Sequence, residues 1–255
     1  MKLFWQKLNK QWRILATGFC FVLFGFGGLV LTFIVFPLIT LTVKNREKRE
    51  LKVQRIIQIS FYLFCETMKI SGAMNYKIVG GEKLKADKNC LVVANHPSLI
   101  DTVLITSLLK QCDCIVKDAI WKNPFMRGVV TSAGYIPNAA PETFLTDCKE
   151  RLKNGHVLLV FPEGTRTTPG VEPKLQRGAA QIAIKTTSDL RVVHITVEPV
   201  FLTKQGKWYQ VPDTKPFFLV EVKDKVDITN FINNDLPPSL AVRKLNTHLN
   251  SVLFP

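Results

Sequence analysis

The sequence has few acidic residues, only four histidines and no cysteine spacing typical of disulfides. Its 255 residues include 20 Asp and Glu against 34 Lys and Arg, a formal net charge of +14. This excess favours an anionic partner, either a membrane surface or a nucleic acid. The six cysteines lack the pattern of a disulfide scaffold, so we expect reduced thiols. Cys112 and Cys114 have no second Cys or His pair nearby, so we expect no metal site.

Charge is missing altogether from residues 14–43, a run of thirty residues rich in Phe, Leu, Ile and Val. A signal peptide has a shorter apolar core and a small-residue cleavage site, so this run predicts a membrane anchor. One helix of this length would measure about 45 Å, against about 30 Å for the hydrocarbon of a bilayer. Since Gly25, Gly27, Gly28 and Pro37 offer places to break, we expect a re-entrant hairpin rather than one tilted span.

Basic residues flank the apolar run on both sides. Residues 1–55 hold ten Lys and Arg but only two acidic residues, Glu47 and Glu50. The positive-inside rule therefore chooses no orientation, and we expect the flanks to contact anionic head groups of a bilayer. A nucleic-acid binder shares the basic bias but has no use for the apolar run, so we expect no nucleic-acid partner.

A second helix is predicted downstream of the apolar run. Apolar residues recur at helical spacing from Val53 to Met68, with polar residues on the other faces. We expect this amphipathic helix to pack on the globular part of the chain, and a position in the membrane interface stays open as well. The sequence thus predicts two parts, an anchor with the amphipathic helix in residues 1–75 and a catalytic domain in residues 76–255.

The rest of the chain alternates short apolar runs with helical patterns. This alternation predicts an α/β domain with a largely parallel sheet, because parallel strands need crossover connections. The expected strands are residues 90–94, 113–116, 157–161, 192–197 and 217–222. The expected helices are residues 100–109, 141–153, 178–186 and 238–253.

The segment Asn-His-Pro-Ser-Leu-Ile-Asp, residues 95–101, follows the first expected strand. Pro97 suits the first turn of a helix, so His96 is expected at a strand-to-helix switch, with its side chain pointing out of the sheet. Asp101 can then hold one ring nitrogen of His96 and leave the other basic near neutral pH. The pair predicts a general base for a substrate hydroxyl. The simpler interpretation is a capping histidine beside a solvated carboxylate.

The segment Phe-Pro-Glu-Gly-Thr-Arg, residues 161–166, also follows an apolar strand. Ligands collect at the carboxyl ends of strands in open α/β sheets. Gly164 lets the backbone approach a ligand closely, and Arg166 offers a planar fork for a phosphate or carboxylate. Alone, the segment would equally suit an ordinary turn with a surface ion pair.

Together the two segments resemble the signature of the lysophospholipid and glycerolphosphate acyltransferase family, typified by 1-acyl-glycerol-3-phosphate acyltransferase. That signature is Asn-His, four residues and Asp, followed by Phe-Pro-Glu-Gly-Thr-Arg, and both parts match here without a gap. Weaker similarity to the family's other blocks includes Lys117, residues 134–136 and residues 177–180, so the resemblance covers roughly residues 80–225.

The resemblance implies a mixed, largely parallel sheet flanked by helices, with an N-terminal helical membrane anchor. It implies transfer of an acyl group from acyl-coenzyme A or acyl carrier protein to the hydroxyl of a lysolipid, with no cofactor beyond that co-substrate. The first expectation for the acceptor is 1-acyl-glycerol-3-phosphate, which would become phosphatidate. The expected location is the cytoplasmic membrane, with the catalytic domain facing the cytoplasm.

In this scheme His96 is the general base and Asp101 orients its ring. No Gly-x-Ser-x-Gly elbow surrounds Ser98, so we expect no acyl-enzyme and interpret its hydroxyl as structural. Glu163 and Arg166 are expected to position the polar end of the acceptor. The full set of residues assigned to substrate binding is Asn95, Ser98, Lys117, Arg127, Glu163, Gly164, Thr165 and Arg166.

The sequence departs from its relatives after residues 134–136. Typical members carry an Arg a few residues later, resembling a partner for the acceptor phosphate, whereas here the next Arg is Arg151. Unless Arg127 or Arg166 replaces it, a non-phosphate lyso-lipid, glycolipid or aminolipid acceptor stays an alternative. A further alternative is a membrane lipid-binding protein that has lost catalysis, although such a protein has no reason to keep both His96 and Asp101.

Overall fold

The computed structural model describes residues 2–138, 141–232 and 237–254. The helices are α1 (Lys2–Val30), α2 (Phe36–Thr42), α3 (Arg46–Ile70), α4 (Gly81–Ala86), α5 (Asp101–Leu108), α6 (Asp118–Lys122), α7 (Pro124–Ser132), α8 (Pro141–Lys153), α9 (Gly178–Thr186) and α10 (Pro238–Leu253). The strands are β1 (Asn75–Val79), β2 (Cys90–Ala94), β3 (Asp113–Val116), β4 (Ile136–Pro137), β5 (Val157–Val160), β6 (Leu190–Glu198) and β7 (Phe217–Val226).

The strands form one seven-stranded sheet in the order β1-β7-β6-β2-β5-β3-β4. Neighbouring strands are parallel except for the antiparallel pair β6 and β7. The mixed, largely parallel α/β sheet that the sequence predicts is therefore confirmed. Because β2, β3, β5 and β6 run in the same direction, the loops that follow them meet at one edge of the sheet, which we call the carboxyl edge.

Helices cover both faces of the sheet, as the fully apolar strands require. In β2 the side chains alternate: Cys90, Val92 and Ala94 pack toward α3 and α5, whereas Leu91 and Val93 pack toward α8, α9 and α10. This alternation is the period of two that an extended strand imposes. The central strand is thus buried on both sides, and its end is held rigidly under the loop that carries His96.

The N-terminal apolar run forms one helical element of 39 residues, Phe4–Thr42, and the expected re-entrant hairpin within it is wrong. The glycines at 25, 27 and 28 stay helical. A π-helical segment, Leu31–Val35, precedes Pro37 and widens the helix where proline lacks an N–H and its ring opposes the carbonyl of residue 33. The chain reverses only at residues 43–45, where the Asn45 side chain accepts a hydrogen bond from the Lys48 N–H and begins α3.

The predicted amphipathic helix is confirmed as α3. Val53, Ile57, Phe64 and Met68 are buried in the same core as β2, so α3 packs on the sheet. On its other side α3 packs against α1, where the rings of Phe24 and Phe64 lie 4.7 Å apart. α1 is therefore attached along its inner face.

The outer face of α1 and α2 is apolar and exposed. Its members recur every three or four residues, the spacing of one face of a helix. We call this set the outward stripe: Phe4, Trp5, Leu8, Trp12, Leu15, Phe19, Val22, Leu23, Phe26, Leu29, Phe33, Ile34, Leu38 and Leu41.

Several short elements were not predicted from the sequence. β1 has a mixed polar and apolar sequence because only one neighbour, β7, covers this edge of the sheet. β4 has only two residues, too few for any periodicity. The expected strand at residues 217–222 continues to Val226, since its pairing with β6 extends that far.

Candidate active site

His96 and Asp101 lie next to each other at the carboxyl edge. His96 follows β2 in a non-helical segment, and Asp101 is the first residue of α5. The predicted hydrogen bond joins His96 Nδ1 to Asp101 Oδ2 at 2.9 Å. Asp101 is wholly buried, whereas the His96 side chain keeps 18% of its surface exposed. The ring nitrogen that does not face Asp101, Nε2, is the one free to meet a substrate.

Two further contacts hold this pair in place. The backbone N–H of Ser98 donates to Asp101 Oδ2 at 2.6 Å, which fixes the carboxylate independently of the histidine. The ring of Phe161 stacks on His96, with centroids 4.2 Å apart and planes 24° apart. Since Phe161 is the first residue of the second motif, the imidazole is oriented by both motifs.

Burial dominates the electrostatics of Asp101. It raises the pKa of this carboxyl above its usual value, and the hydrogen bonds from His96 and the Ser98 N–H oppose the rise. Asp101 Oδ1 has no hydrogen-bond partner in the described part of the chain. A buried carboxylate with so little compensation is stabilised by a positive charge placed beside it.

Glu163 connects the second motif to the backbone of His96. Its Oε1 accepts from the His96 N–H at 2.8 Å and from the Thr167 hydroxyl at 2.9 Å. The Thr167 N–H in turn donates to the His96 carbonyl at 2.7 Å. Glu163 was predicted to position the polar end of the acceptor, and no sequence motif marked Thr167. The structure places Glu163, Thr167 and His96 in one closed arrangement, which we call the Glu163 clamp.

Asn95 and Ser98 were also assigned to substrate binding, but both side chains are buried. The Asn95 amide donates to the Ile195 carbonyl at 2.8 Å and accepts from the Ile195 N–H at 2.7 Å, which joins the end of β2 to β6. Ser98 is wholly buried, and its Oγ has no partner among the described residues. The Asn95 side chain thus holds β2 to β6, and substrate contacts by either residue stay a prediction.

Arg166 holds the loop after β6. Its Nη1 donates to the carbonyls of Leu202 and Thr203 at 3.1 and 2.9 Å. The Leu202 carbonyl also accepts from the Leu99 N–H at 3.0 Å, so it binds both motifs. Leu202 adopts a left-handed backbone with φ of 55°, an unfavourable conformation for a side chain of this size that the two hydrogen bonds help to maintain. No sequence signal marks Leu202.

The other predicted binding residues are exposed at the protein surface. Gly164 has φ of +66°, which glycine adopts without strain, and both Gly164 and Thr165 are exposed. Lys117 is exposed directly after β3, two strands from β2, which corresponds to about 10 Å across the sheet. Arg127 is exposed on α7. These cations face solvent and are available to an anionic ligand.

Arg151 does not replace the arginine that is missing after residues 134–136. Its Nη1 donates to Glu50 on α3 at 2.6 Å, and its Nη2 donates to the Gly134 carbonyl at 3.1 Å. Gly134 is required here because it has φ of +69° and a Cβ would lie 2.4 Å from the Glu50 carboxyl carbon. Part of the altered segment, residues 139–140, lies outside the described residues.

An apolar cavity of about 160 Å³ opens beside the dyad. Its lining includes Pro97, the residue after His96, and Thr167, whose N–H donates to the His96 carbonyl, whereas the side chains of His96 and Asp101 do not line it. Its apolar surface suits a hydrocarbon chain or the thioester end of one. The lining residues are Pro97, Thr167, Pro169, Val197, Val200, Phe201 and Thr203.

A second His–Asp pair lies at the opposite edge of the sheet. His156 Nδ1 and Asp113 Oδ2 are 2.6 Å apart, and Gln54 Nε2 donates to Asp113 Oδ1 at 2.6 Å. Both members are buried at the beginnings of β5 and β3, where α3 covers them. His156 therefore has a structural placement, remote from His96.

The chain is similar to several known proteins. The family model described as Acyltransferase matches residues 75–203, slightly more than half of the chain. The chloroplastic 1-acyl-sn-glycerol-3-phosphate acyltransferase BAT2 of Brassica napus is 29% identical over 211 residues, covering 79% of this chain and 56% of that protein. The 1-acyl-sn-glycerol-3-phosphate acyltransferase of Pseudomonas aeruginosa is 24% identical over 152 residues, covering 57% and 58%. This chain spans about half of the length of the first curated relatives.

A solved structure shares the whole fold. The 1-acyl-sn-glycerophosphate (LPA) acyltransferase PlsC of Thermotoga maritima superposes with a TM-score of 0.66 at 22% identity, covering 99% of this chain and 96% of that one. At this identity the likeness supports the fold, while the match to the family model carries the membership. The chain belongs to the acyltransferase family.

Proposed function

We propose that this protein moves a fatty acyl group from an acyl thioester to the free hydroxyl of a lysophospholipid at a membrane surface. The first candidate acceptor is 1-acyl-glycerol-3-phosphate, the substrate that the names of the curated relatives carry. The observation that supports this most directly is the partly exposed imidazole of His96, which is bonded to the buried Asp101 and followed by Pro97, a residue that lines an apolar cavity.

In the proposed reaction His96 Nε2 takes the proton of the acceptor hydroxyl as its oxygen attacks the thioester carbonyl carbon. Asp101 holds Nδ1–H and stabilises the resulting imidazolium, for which its buried position suits it. The tetrahedral intermediate then collapses: the carbon–sulfur bond breaks, and the imidazolium returns the proton to the departing thiolate. The products are an ester and a free thiol, and no acyl-enzyme forms.

The donor is proposed to be acyl-coenzyme A or acyl carrier protein, because both present a thioester at the end of a phosphorylated arm. The exposed Lys117 and Arg127 provide positive charge for phosphates at the carboxyl edge. The cavity next to His96 provides apolar surface for the first carbons of the acyl chain. The reaction then needs correct positioning of two substrates and one base.

The outward stripe supports attachment to a membrane. An apolar helix of 39 residues is about 60 Å long, twice the thickness of the hydrocarbon layer, and its inner face is occupied by α3. A helix that is apolar on one free side only suits a position in the plane of the interface. We therefore propose a protein that lies on one leaflet, with its catalytic domain in the cytoplasm and its basic residues near anionic lipids.

A non-phosphate lyso-lipid is the second candidate acceptor. Arg151 is committed to Glu50, and Nη1 of Arg166 is committed to two backbone carbonyls. Of the other cations assigned to substrate binding, Lys117 and Arg127 are exposed, and neither lies in the segment after residues 134–136 that carries the arginine in typical members. Loss of one charge-assisted contact typically weakens binding by about 1.5 to 3 kcal/mol.

The test is a competition assay with the full-length protein in lipid vesicles. Lysophosphatidate and lyso-lipids without a phosphate are offered together, with either acyl-coenzyme A or acyl carrier protein thioesters, and the products are identified by mass spectrometry. Exclusive use of lysophosphatidate supports the first candidate, and preference for an acceptor without phosphate supports the second. The controls are the His96→Ala protein and a reaction without protein. Product formation at the wild-type rate in either control contradicts the proposed function.

A further inference from the structure

The loop between β6 and β7, residues 199–216, is unusual for its exposed apolar side chains. Val200 is 60% exposed, Trp208 is 47% exposed and Tyr209 is 45% exposed. Exposed lysines lie among them at positions 204, 207 and 215, and the ammonium of Lys207 lies 5.6 Å from the centre of the Tyr209 ring. Exposed Trp and Tyr beside Lys is the composition found where proteins meet the head-group region of a bilayer.

One side of this loop is fastened to α1. Lys10 Nζ and Asp213 Oδ1 form an ion pair at 2.6 Å, and Arg13 Nη2 donates to the carbonyls of Pro212 and Asp213 at 3.0 and 2.6 Å. The Trp208 ring lies so close to α1 that a Cβ at Gly18 would be 3.0 Å from it. Trp208 and Tyr209 are therefore adjacent to the outward stripe.

The other end of the same loop is part of the candidate active site. The carbonyls of Leu202 and Thr203 hold Arg166, and the Leu202 carbonyl also holds the segment after His96 through the Leu99 N–H. Val200, Phe201 and Thr203 line the cavity beside His96. One continuous stretch of chain thus joins the helix proposed to meet the membrane to the groups that shape the site.

We propose that the β6–β7 loop is a second membrane-docking element, which inserts Trp208 and Tyr209 into the head-group region of an anionic bilayer and seats the cavity mouth against the lipid. This inference rests on the proposed function for the identity of the acceptor but not for the contact itself. The occupant is a lipid surface because the exposed side chains continue the apolar outward stripe and three lysines lie among them, which complement anionic head groups, while the acidic residue of the loop, Asp213, is paired with Lys10. Docking places the lysolipid hydroxyl near His96 without removal of the lipid from the bilayer.

The contact is tested with a polarity-sensitive fluorophore attached to Cys in a Tyr209→Cys protein. The six native cysteines are all buried, so the label reacts at the introduced thiol. The control is Leu240→Cys on α10, whose parent side chain is 38% exposed and belongs to the helical layer on the other face of the sheet. We expect vesicles containing an anionic phospholipid to shift the emission at position 209 to the blue and to let lipid-borne quenchers reach it, with neither effect at position 240. An unchanged, iodide-accessible label at 209 on protein that sediments with vesicles would overturn the proposal.

The consequence for catalysis is tested with the double variant Trp208→Ser, Tyr209→Ser. We expect its rate on an acceptor embedded in vesicles to fall about tenfold, while its rate on a short-chain, monomeric acceptor of the same head group stays at the wild-type value. Equal losses on both acceptors, or no loss on vesicles, would overturn the coupling of docking to catalysis. If wild-type protein acylates neither acceptor, the proposed function fails, whereas the label experiment still decides whether the loop contacts lipid.

Discussion

At the scale of single residues, the His96 imidazole depends on groups from both motifs. Asp101 begins α5, Phe161 follows β5, and Glu163 reaches the His96 backbone from the second motif. Each contact restricts a different motion: in-plane rotation of the ring, tilt of the ring and displacement of its Cα. An imidazole held in this way keeps one orientation, which favours proton transfer to it.

The first prediction concerns the dyad. We expect His96→Ala to lower the rate of acyl transfer by about 10² to 10⁴, the usual effect of removing a positioned base. Asp101→Asn should cause a loss in the same range, because an amide neither fixes the ring tautomer nor compensates the imidazolium. Rates are measured by product formation at saturating substrates, with vesicle binding as the control for folding. Wild-type turnover by either variant would remove that residue from the mechanism.

The second prediction concerns the hydroxyl of Thr167. Thr167→Val keeps the shape and the backbone bond to His96 but removes the hydrogen bond to Glu163 Oε1. We expect kcat to fall about tenfold with KM nearly unchanged, since 1.4 kcal/mol corresponds to that factor and a bond to a charged acceptor contributes about 1.5 to 3 kcal/mol. Thr167→Ser should restore the rate.

This pair of variants separates positioning from general loosening of the fold. A structural effect alone would lower the melting temperature of the Val variant and leave its pH profile and its kcat unchanged. A Val variant with wild-type kcat, or a Ser variant as slow as the Val variant, would show that the Glu163 clamp does not position His96.

At the scale of elements, the outward stripe is the feature with the largest expected effect on the behaviour of the protein. Burying one Phe side chain in an apolar medium contributes about 1.5 to 3 kcal/mol, so the stripe far exceeds what a basic patch contributes under salt. The third prediction is that the wild-type protein stays with membranes in high salt. Phe19→Glu, Phe26→Glu, which places two charges on exposed stripe positions, should move it to the supernatant.

The matched control is Leu240→Glu, an exposed apolar position on α10. This variant should sediment like the wild type, since α10 belongs to the layer on the other face of the sheet from α3. Sedimentation is followed after high-salt and alkaline washes. Release of the wild-type protein by salt alone, or retention of the double Glu variant, would contradict the assignment of the stripe to the lipid.

At the scale of the whole molecule, α3 and the catalytic sheet share one core. Besides its apolar contacts, α3 contributes Glu50, which accepts hydrogen bonds from Arg46 at 2.8 Å and from Arg151 on α8 at 2.6 Å. The division into an anchor of residues 1–75 and a domain of residues 76–255 stays a prediction. The shared core indicates that truncation within α3 would expose buried surface, so point substitutions on the stripe are the better probe of the anchor.

The fourth prediction is a pH dependence of stability that Glu50 contributes. Burial raises the pKa of Glu50, but hydrogen bonds and charges from Arg151 and Arg46 outweigh it, and the net pKa lies below 4.5. A carboxyl with a lowered folded-state pKa stabilises the fold above its unfolded pKa, and this contribution is lost as the pH falls through the folded-state value. We expect Glu50→Gln to cost roughly 1.5 to 3 kcal/mol at pH 7 and progressively less below about pH 4.5.

The measurement is thermal unfolding in detergent between pH 7 and pH 3 for the wild type and Glu50→Gln. The difference between the two curves isolates Glu50 from other carboxyls with lowered pKa values, such as Asp87 beside Arg191 and Lys225. A difference that stays constant with pH would show that Glu50 is not ionised in the native state.

The local features of this protein were determined by the sequence alone. A strand followed by His96, Pro97 and Asp101 specifies a loop and a helix start within six residues, so the dyad depends on little beyond that local geometry. The apolar runs of β2 and β5 likewise indicate strands, because strands buried on both faces are apolar throughout. The helix α3 could also be predicted, because its apolar residues recur every three or four positions.

The tertiary structure decided which distant backbones meet the dyad. The His96 N–H reaches Glu163 because β2 and β5 are neighbouring strands. The Leu202 carbonyl reaches the Leu99 N–H because β6 lies on the other side of β2. Strand order is set by long-range packing, which leaves no periodic trace in the sequence. The same holds for α1: whether thirty apolar residues span, fold back or lie flat depends on what covers one face, and here α3 covers it. The sequence thus determined which groups are proposed to react, and packing across the sheet determined what holds them.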